Sequence, residues 1–193
     1  MKRNFRLEDF DYELPDNLIA QYPAKTRSES RLLNVNLSDK KNLNFEELSF
    51  ADLASKLKKD DLLIFNNSRV IPAKLNCVKS TGGSVEILIT NKLQTEKENI
   101  FLCNAMLKPS KKIFQGQKLK IKGSSETLTI IENNLKSENN FVIEFKNPID
   151  HILKNFGIVP LPPYIKRHPE KEDYTDYQNI FATTPGSIAA PTA

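Results

Sequence analysis

Four consecutive polar residues, Asn66, Asn67, Ser68 and Arg69, carry side chains suited to binding a ligand. Two amides, a hydroxyl and a guanidinium can together hydrogen-bond a nucleoside or a phosphate. They follow the apolar run LLIF (Leu62–Phe65), which is typical of a strand covered on both faces. The four residues should therefore lie at the carboxyl end of a strand, where open α/β sheets bind ligands. A capped turn stays open as an alternative, since Asn and Ser are common turn residues.

A second candidate site is basic. The segment Leu107–Gly123 contains six lysines and no acidic residue. In KLKIK, three of the lysines alternate with Leu119 and Ile121, so a strand here would have one basic face and one apolar face. A basic face is suited to RNA phosphates, but lysines on an exposed strand can instead prevent edge-to-edge pairing, and both interpretations stay open. The six are Lys108, Lys111, Lys112, Lys118, Lys120 and Lys122.

A third candidate lies in the proline-rich stretch Pro160–Gln178, which interleaves aromatic and basic residues. Tyr164, Lys166 and Arg167 could stack on a base and hold a phosphate. The same residues are equally compatible with a rigid surface loop that anchors on a neighbouring domain.

The composition indicates an ordinary globular protein. The chain has 193 residues, of which 39% are hydrophobic and 27% charged, with a formal net charge of +4. It contains no apolar tract of roughly 18 residues and no secretory signal, so we expect a cytoplasmic protein without a membrane contact. Cys77 and Cys103 lie in apolar stretches and are expected to be reduced core thiols. His151 and His168 have no second ligand at metal-ligand spacing, and no metal is expected.

Local patterns predict the elements around these candidates. Ser30–Leu37 is typical of a strand, and Pro15–Gln21 of one or two helical turns. Ser49–Lys59 predicts a helix with Ser49 as N-cap, Asp52 closing a capping box, and a buried face formed by Phe50, Leu53, Ala54 and Leu57.

From Ala73 onward the chain is rich in short β segments separated by turn residues, which predicts a small barrel or sandwich. The β-rich part ends at Asn147-Pro148, where Asn147 can cap a helix, Pro148 can occupy its first position, and Gly157 can end it as a C′ residue. The predicted fold is α+β with two domains. Residues 1–71 and 148–193 form an α/β main domain, incomplete here, and residues 72–147 form an inserted small all-β barrel.

Eight short motifs occur in an order that resembles the S-adenosylmethionine:tRNA ribosyltransferase-isomerase family of queuosine biosynthesis. Each motif alone is weak, but the ordered set is specific and runs along the whole chain. The motifs are DFDYELP (Asp9–Pro15), LIAQYP (Leu18–Pro23), SRLL (Ser30–Leu33), NNSRVIPAKL (Asn66–Leu75), TGGSVEIL (Thr81–Leu88), LKPSKK (Leu107–Lys112), PLPPYIKR (Pro160–Arg167) and PGSIAAPTA (Pro185–Ala193).

The resemblance implies a transferase that uses S-adenosylmethionine as a ribosyl donor and needs no metal. The ribosyl group would be transferred and isomerised onto 7-aminomethyl-7-deazaguanine at the wobble position of tRNA, giving epoxyqueuosine and releasing adenine and methionine. The full-length protein would act as a monomer. No residue is assigned as the catalytic base. Candidate contacts to the cofactor or the wobble base are Asn66, Asn67, Ser68, Arg69, Ser187 and Thr192, and Tyr164, Lys166 and Arg167 join the six lysines as RNA-binding candidates.

This chain also differs from the usual pattern of the family that it resembles. Asn67 stands where the family usually has aspartate, and Asn179 and Phe181 stand where it commonly has threonine and tyrosine. In the family, the motif that is PGSIAAPTA here is followed by a long segment that completes the α/β domain. We therefore expect an incomplete enzyme that is inactive alone. A non-catalytic RNA-binding barrel module and a functional half with a separately encoded partner are the alternatives.

Overall fold

The computed structural model describes residues 4–37, 43–134 and 140–189. The chain divides into two compact units. The first comprises residues 1–64 together with 163–167, and the second comprises residues 65–162 together with 168–193.

The first unit is built from a hairpin and short helical turns. Strands β1 (Arg31–Asn36) and β2 (Asn44–Ser49) pair antiparallel, with Val35 opposite Phe45. A 3-10 turn then leads into the short helix α1 (Leu53–Lys56). The strand predicted in Ser30–Leu37 and the turn predicted after Pro15 are thus confirmed. The 3-10 turns of this unit are Leu7–Phe10, Asp16–Leu18, Arg27–Glu29 and Phe50–Asp52.

The predicted capping box is confirmed, but the predicted buried helix face is wrong. Both the backbone N–H and the hydroxyl of Ser49 donate to the Asp52 carboxylate, at 2.9 and 2.8 Å. These bonds, the side-chain one first, lower the pKa of Asp52. The helical segment nevertheless ends at Lys56, and Phe50 and Leu57 remain 50% and 37% exposed. No described residue of this unit is buried, so the apolar stripe has nothing to pack against.

The strand predicted at Leu62–Phe65 is also absent from the structure. These residues lie outside every described strand, and Leu62 and Ile64 are 85% and 83% exposed. A strand covered on both faces needs neighbouring strands and a layer on each side. The described residues supply neither to this segment, so its apolar composition alone does not make it a strand.

The second unit contains strand β3 (Ser68–Val70) and a closed six-stranded antiparallel barrel, in the order β4-β5-β6-β9-β8-β7. Inward-facing side chains alternate along each strand and are almost fully buried, Leu75, Ile87 and Phe145 among them. The predicted α+β class with a small barrel is confirmed. The barrel strands are β4 (Lys74–Lys79), β5 (Ser84–Leu93), β6 (Phe101–Lys108), β7 (Lys118–Ile121), β8 (Thr127–Asn134) and β9 (Asn140–Phe145).

Cys77 on β4 and Cys103 on β6 belong to the barrel core, which confirms the prediction of free core thiols. Their exposed fractions are 1% and 0%. Burial raises the pKa of each thiol to about 12, because the thiolate would lose its hydration. Neither sulfur is suited to nucleophilic chemistry at neutral pH.

Helix α2 (Ile149–Phe156) follows the barrel and buries Ile149, Ile152 and Leu153 in the same core. Its predicted ends need correction. Pro148 is the N-cap residue, and the Asn147 amide donates to Glu126 instead of capping the helix.

Gly157 ends α2 as predicted, although as the C-cap residue rather than at C′, with φ −72° and ψ 146°. A Cβ at this position would overlap the backbone carbonyl oxygens of Pro72 and Leu153. Glycine is therefore needed here for close backbone approach rather than for its conformational freedom.

Helix α3 (Asp173–Asp176) and strand β10 (Thr184–Ser187) complete the second unit. In the described ranges, no helix combines the length and the hydrophobicity needed to cross a bilayer.

Candidate functional site

The segment Asn66–Val70 lies against the segment Gln178–Ser187, and we call the two together the cradle. Strand β3 pairs in parallel with β10, with Ser68 opposite Thr184 and Val70 opposite Ser187. Gly186 forms a bulge in this pairing with φ +148°, a conformation that favours glycine. The four polar residues predicted as ligand contacts are therefore held by a strand more than 100 positions further along the chain.

A side chain occupies the other edge of β3. The Gln178 carbonyl oxygen accepts from the Val70 N–H at 2.9 Å, and its amide nitrogen donates to the Val70 carbonyl at 2.8 Å. One side-chain amide thus substitutes for a neighbouring strand. Sequence reasoning missed Gln178, because side-chain pairing to a distant backbone leaves no local pattern.

Asn66 forms hydrogen bonds within the cradle through its side chain and its backbone carbonyl. Its side-chain oxygen accepts from the Ser68 N–H at 2.7 Å, which is the turn conformation considered as an alternative. Its carbonyl accepts from the Asn179 amide. The next carbonyl, that of Asn67, accepts from the N–H groups of Thr183 and Thr184, at 2.8 and 3.1 Å. The turn and the loop after Gln178 therefore fix each other.

Asn67 and Arg69 are both exposed, Arg69 on β3 and Asn67 immediately before it. Arg69 makes one long hydrogen bond, 3.4 Å from Nη2 to the Ala182 carbonyl, and Ser68 is half-buried. Arg69 is the only residue of the cradle with an ionisable side chain. These side chains can bind an anionic group and hydrogen-bond a base edge, but the cradle contains no carboxylate or imidazole that could accept a proton.

The last two candidate contacts to the cofactor or the wobble base are Ser187 and Thr192. The Ser187 carbonyl accepts from the Ile71 N–H at 2.9 Å, and its hydroxyl donates to the Ala189 carbonyl at 2.5 Å. Ser187 therefore belongs to the cradle, with its hydroxyl already engaged. Thr192 lies outside the described residues. Within those ranges, no three His, Cys, Asp or Glu side chains come together as metal ligands would.

The predicted basic strand is β7, whose residues Lys118 and Lys120 are exposed while Leu119 and Ile121 are buried. Lys122 follows the strand and is also exposed. The strand pairs with β4 on one side and β8 on the other. The alternative that these lysines protect a free sheet edge is therefore wrong, since β7 has no free edge.

The other three lysines of the segment are distributed over different parts of the barrel. Lys108 lies on β6 opposite Glu86 of β5. Lys111 and Lys112 precede β7, and the Lys112 carbonyl accepts from the Lys79 ammonium at 3.3 Å. The structure thus groups Lys118, Lys120 and Lys122 and separates Lys108 from them.

Tyr164, Lys166 and Arg167 lie in the first unit, where Gln21 anchors their backbone. The Gln21 side chain donates to the Tyr164 carbonyl at 3.1 Å and accepts from the Lys166 N–H at 2.6 Å. The Lys166 ammonium also lies 2.5 Å from an Asp16 carboxylate oxygen.

Arg167 donates to the Gln21 carbonyl at 2.8 Å, and its guanidinium lies 4.2 Å from the centre of the Tyr22 ring. The basic groups of this motif are thus engaged within their own unit, and their role in RNA binding stays a prediction.

Known proteins resemble this chain over nearly its entire length. The sequence profile of a family described as "Queuosine biosynthesis protein" matches residues 7–193. A Nitrosospira multiformis protein named S-adenosylmethionine:tRNA ribosyltransferase-isomerase is 38% identical over 191 residues, covering 97% of this chain and 50% of its own. A protein of the same name from Citrifermentans bemidjiense is 40% identical, and the match covers 97% of this chain and 52% of that protein. One from Nitrosomonas europaea is 35% identical, and the match covers 99% of this chain and 51% of that protein.

This chain spans about half the length of the curated relatives it matches. The family match covers far more than half of the chain, includes both halves of the cradle and contains the barrel. The chain therefore belongs to the queuosine biosynthesis protein family.

Proposed function

We propose that this chain forms part of an enzyme that transfers and isomerises the ribosyl group of S-adenosylmethionine onto 7-aminomethyl-7-deazaguanine at the tRNA wobble position. The product would be epoxyqueuosine-containing tRNA, with adenine and methionine released, in the cytoplasm. The observation that carries the proposal is the 38% identity, over 97% of the chain, to a protein named as such a ribosyltransferase-isomerase.

The cradle is the proposed binding element for the cofactor or the wobble base. Arg69 supplies a planar cation that can bind a carboxylate, such as that of the methionine part, or a phosphate. Asn67 supplies an amide that can hydrogen-bond a base edge. Hydrogen bonds from Gln178, Asn179 and β10 fix the backbone that carries both side chains. Ligand binding therefore costs little backbone conformational entropy.

The reaction also needs a group that removes a proton next to the sulfonium. The cradle offers no such group, since its single ionisable side chain is Arg69. We therefore propose that the base lies outside the cradle, and that turnover needs the portion of the relatives that this chain does not span. By this proposal the 193-residue chain is inactive by itself.

The proposal is tested in a fusion of this chain with the remaining part of the Nitrosospira multiformis relative. The assay follows adenine release, and epoxyqueuosine by mass spectrometry, on tRNA that carries 7-aminomethyl-7-deazaguanine. Arg69→Ala should lower kcat/KM roughly 10- to 100-fold, the effect of losing a hydrogen bond to a charged group of about 1.5–3 kcal/mol.

Arg31→Ala is the matched control, because Arg31 is an exposed arginine of the hairpin that pairs with Glu47. It should leave kcat/KM unchanged. A fusion that folds, as judged by cooperative unfolding of the barrel, but releases no adenine would contradict the proposed function. Equal effects of the two arginine variants would contradict the role of the cradle.

A further inference from the structure

We propose that the outer face of β7 is a docking surface for RNA phosphates, separate from the cradle. Its members, Lys118, Lys120 and Lys122, are called the lysine face. The inference rests on the proposed function, which supplies a tRNA partner, and it adds a binding surface on the barrel.

The lysine face has no acidic neighbour in register. Lys118 lies opposite Thr129 of β8, and Lys120 lies opposite Thr127 of β8 and Val78 of β4. Directly opposite residues share a face of the sheet, so the ammonium groups are flanked by neutral side chains. None of the three lysines forms an ion pair with any residue in the described part of the chain.

Other lysines of the same barrel are paired. Lys74 lies 3.7 Å from a Glu86 carboxylate oxygen, and Lys146 lies 2.8 Å from one of Glu144. In both pairs a carboxylate on a strand of the barrel neutralises the lysine charge. The lysine face lacks such carboxylates, which leaves a concentrated positive potential at one place on the barrel.

An open depression of about 450 Å³ adjoins the lysine face at the turn between β7 and β8. Lys120, Lys122, Ser124 and Ser125 are among its lining residues. The Ser124 hydroxyl already donates to the Ile121 carbonyl at 3.1 Å and accepts from the Glu126 N–H at 3.0 Å. The two lysines and Ser125 are suited to a phosphate oxygen, as donors from lysine and serine are common contacts to nucleic-acid backbones.

The character of the face favours RNA over an acidic protein. Protein interfaces depend on buried aromatic or aliphatic anchors, whereas phosphate contacts need only donors and charge. The flanking residue Val78 is half-buried, and threonines complete the surroundings. Lysines at alternate strand positions are roughly 6.5–7 Å apart, which presents a line of charges to an extended polyanion.

The test measures binding of a tRNA transcript to the chain by fluorescence anisotropy at several salt concentrations, without S-adenosylmethionine. The variant Lys118→Gln/Lys120→Gln/Lys122→Gln removes the charges of the lysine face. We expect at least a tenfold loss of affinity at about 0.1 M salt. The slope of log K against log salt should become about 2–3 shallower, as each lost phosphate contact contributes about 0.7–0.9.

The control Lys97→Gln/Lys154→Gln/Lys171→Gln removes the same charge from three exposed lysines elsewhere in the second unit. It should change the affinity less than about threefold and preserve the slope. Equal losses in the two triple variants, or no tRNA binding by the parent chain, would overturn the proposal. So would polyglutamate that competes as well as RNA for the lysine face.

This outcome is separable from that of the proposed function, because it requires no turnover. If the fusion described above is inactive while tRNA binding follows the lysine face, the docking surface stands and the proposed reaction fails. If the fusion is active and tRNA binding is insensitive to the lysine face, the reaction stands and the docking surface fails.

Discussion

The barrel and the first unit contain similar apolar side chains, but only the barrel buries them. Phe145 and Ile87 in the barrel are 1% and 0% exposed, whereas Phe45 and Leu62 in the first unit are 58% and 85% exposed. The six barrel strands close on one another within the described chain, so each apolar face meets a partner. Apolar patterning thus specifies a core only where the same chain also provides the opposite surface.

The largest expected effect of a substitution contrasts two phenylalanines. Phe145→Ala removes a fully buried ring from the barrel core and should reduce the free energy of unfolding by about 3–5 kcal/mol. Phe45→Ala, on the exposed hairpin face, should change it by less than about 0.5 kcal/mol. Urea denaturation followed by circular dichroism measures both. Similar losses for the two variants would show that the first unit is packed as tightly as the barrel.

A second contrast concerns two glycines of the second unit. Gly157→Ala would force a Cβ into the carbonyl oxygens of Pro72 and Leu153, and should cost about 1–3 kcal/mol. The matched variant Gly83→Ala meets only ordinary contacts, the nearest being Lys79 Cδ at 3.7 Å, and should be nearly neutral. Thermal unfolding distinguishes the two. A neutral Gly157→Ala would mean that α2 does not lie as close to Pro72 as described.

A third, smaller effect tests the cradle. Gln178→Glu removes the N–H that donates to the Val70 carbonyl and brings a carboxylate towards that oxygen. We expect a loss of about 1–2 kcal/mol and faster hydrogen exchange at the Val70 amide, because the edge of β3 would open. Gln117→Glu is a control outside the cradle, since within the described ranges the Gln117 side chain forms one hydrogen bond, its oxygen accepting from the Phe114 N–H. Unchanged protection at Val70 in the Gln178 variant would contradict the described pairing.

The last effect concerns pH and develops only in alkaline solution. Cys77 and Cys103 have pKa values raised from 9.0 to about 12 in the folded barrel. As the pH rises from about 9 to 12, the unfolded chain loses the thiol protons while the folded chain keeps them, so these residues make stability fall. The double variant Cys77→Ala/Cys103→Ala should lack this part of the fall in unfolding free energy. The lysines and tyrosines are the same in the parent chain and the variant, so their contribution cancels in the comparison. If the unfolding free energies of the parent chain and the double variant fell equally steeply with pH, the buried neutral thiols would be contradicted.

The barrel could be predicted because its signals are local. Short β-rich segments mark the six strands, and turn residues separate them, with Gly82 at φ +85° in the first hairpin. Strands β4, β5 and β6 pair in chain order, so each finds its partner nearby.

The cradle could be predicted only in part. The polar residues Asn66–Arg69 stand out by composition, but their backbone partners Gln178 and Asn179 lie 108 and 113 positions away. The strand expected at Leu62–Phe65 failed for the related reason that its apolar run says nothing about available neighbours. Contacts over such distances depend on the folded arrangement, which no short window of sequence encodes.

The main proposal is that this chain, with its closed barrel, also carries one part of a ribosyltransferase site. It is tested most directly by measuring adenine release from S-adenosylmethionine in the presence of the modified tRNA, for the chain alone and for the fusion with the remaining part of the Nitrosospira multiformis relative. We expect no adenine from the chain alone and one adenine for each epoxyqueuosine formed by the fusion. Turnover by the chain alone, or a folded fusion that releases no adenine, would contradict it.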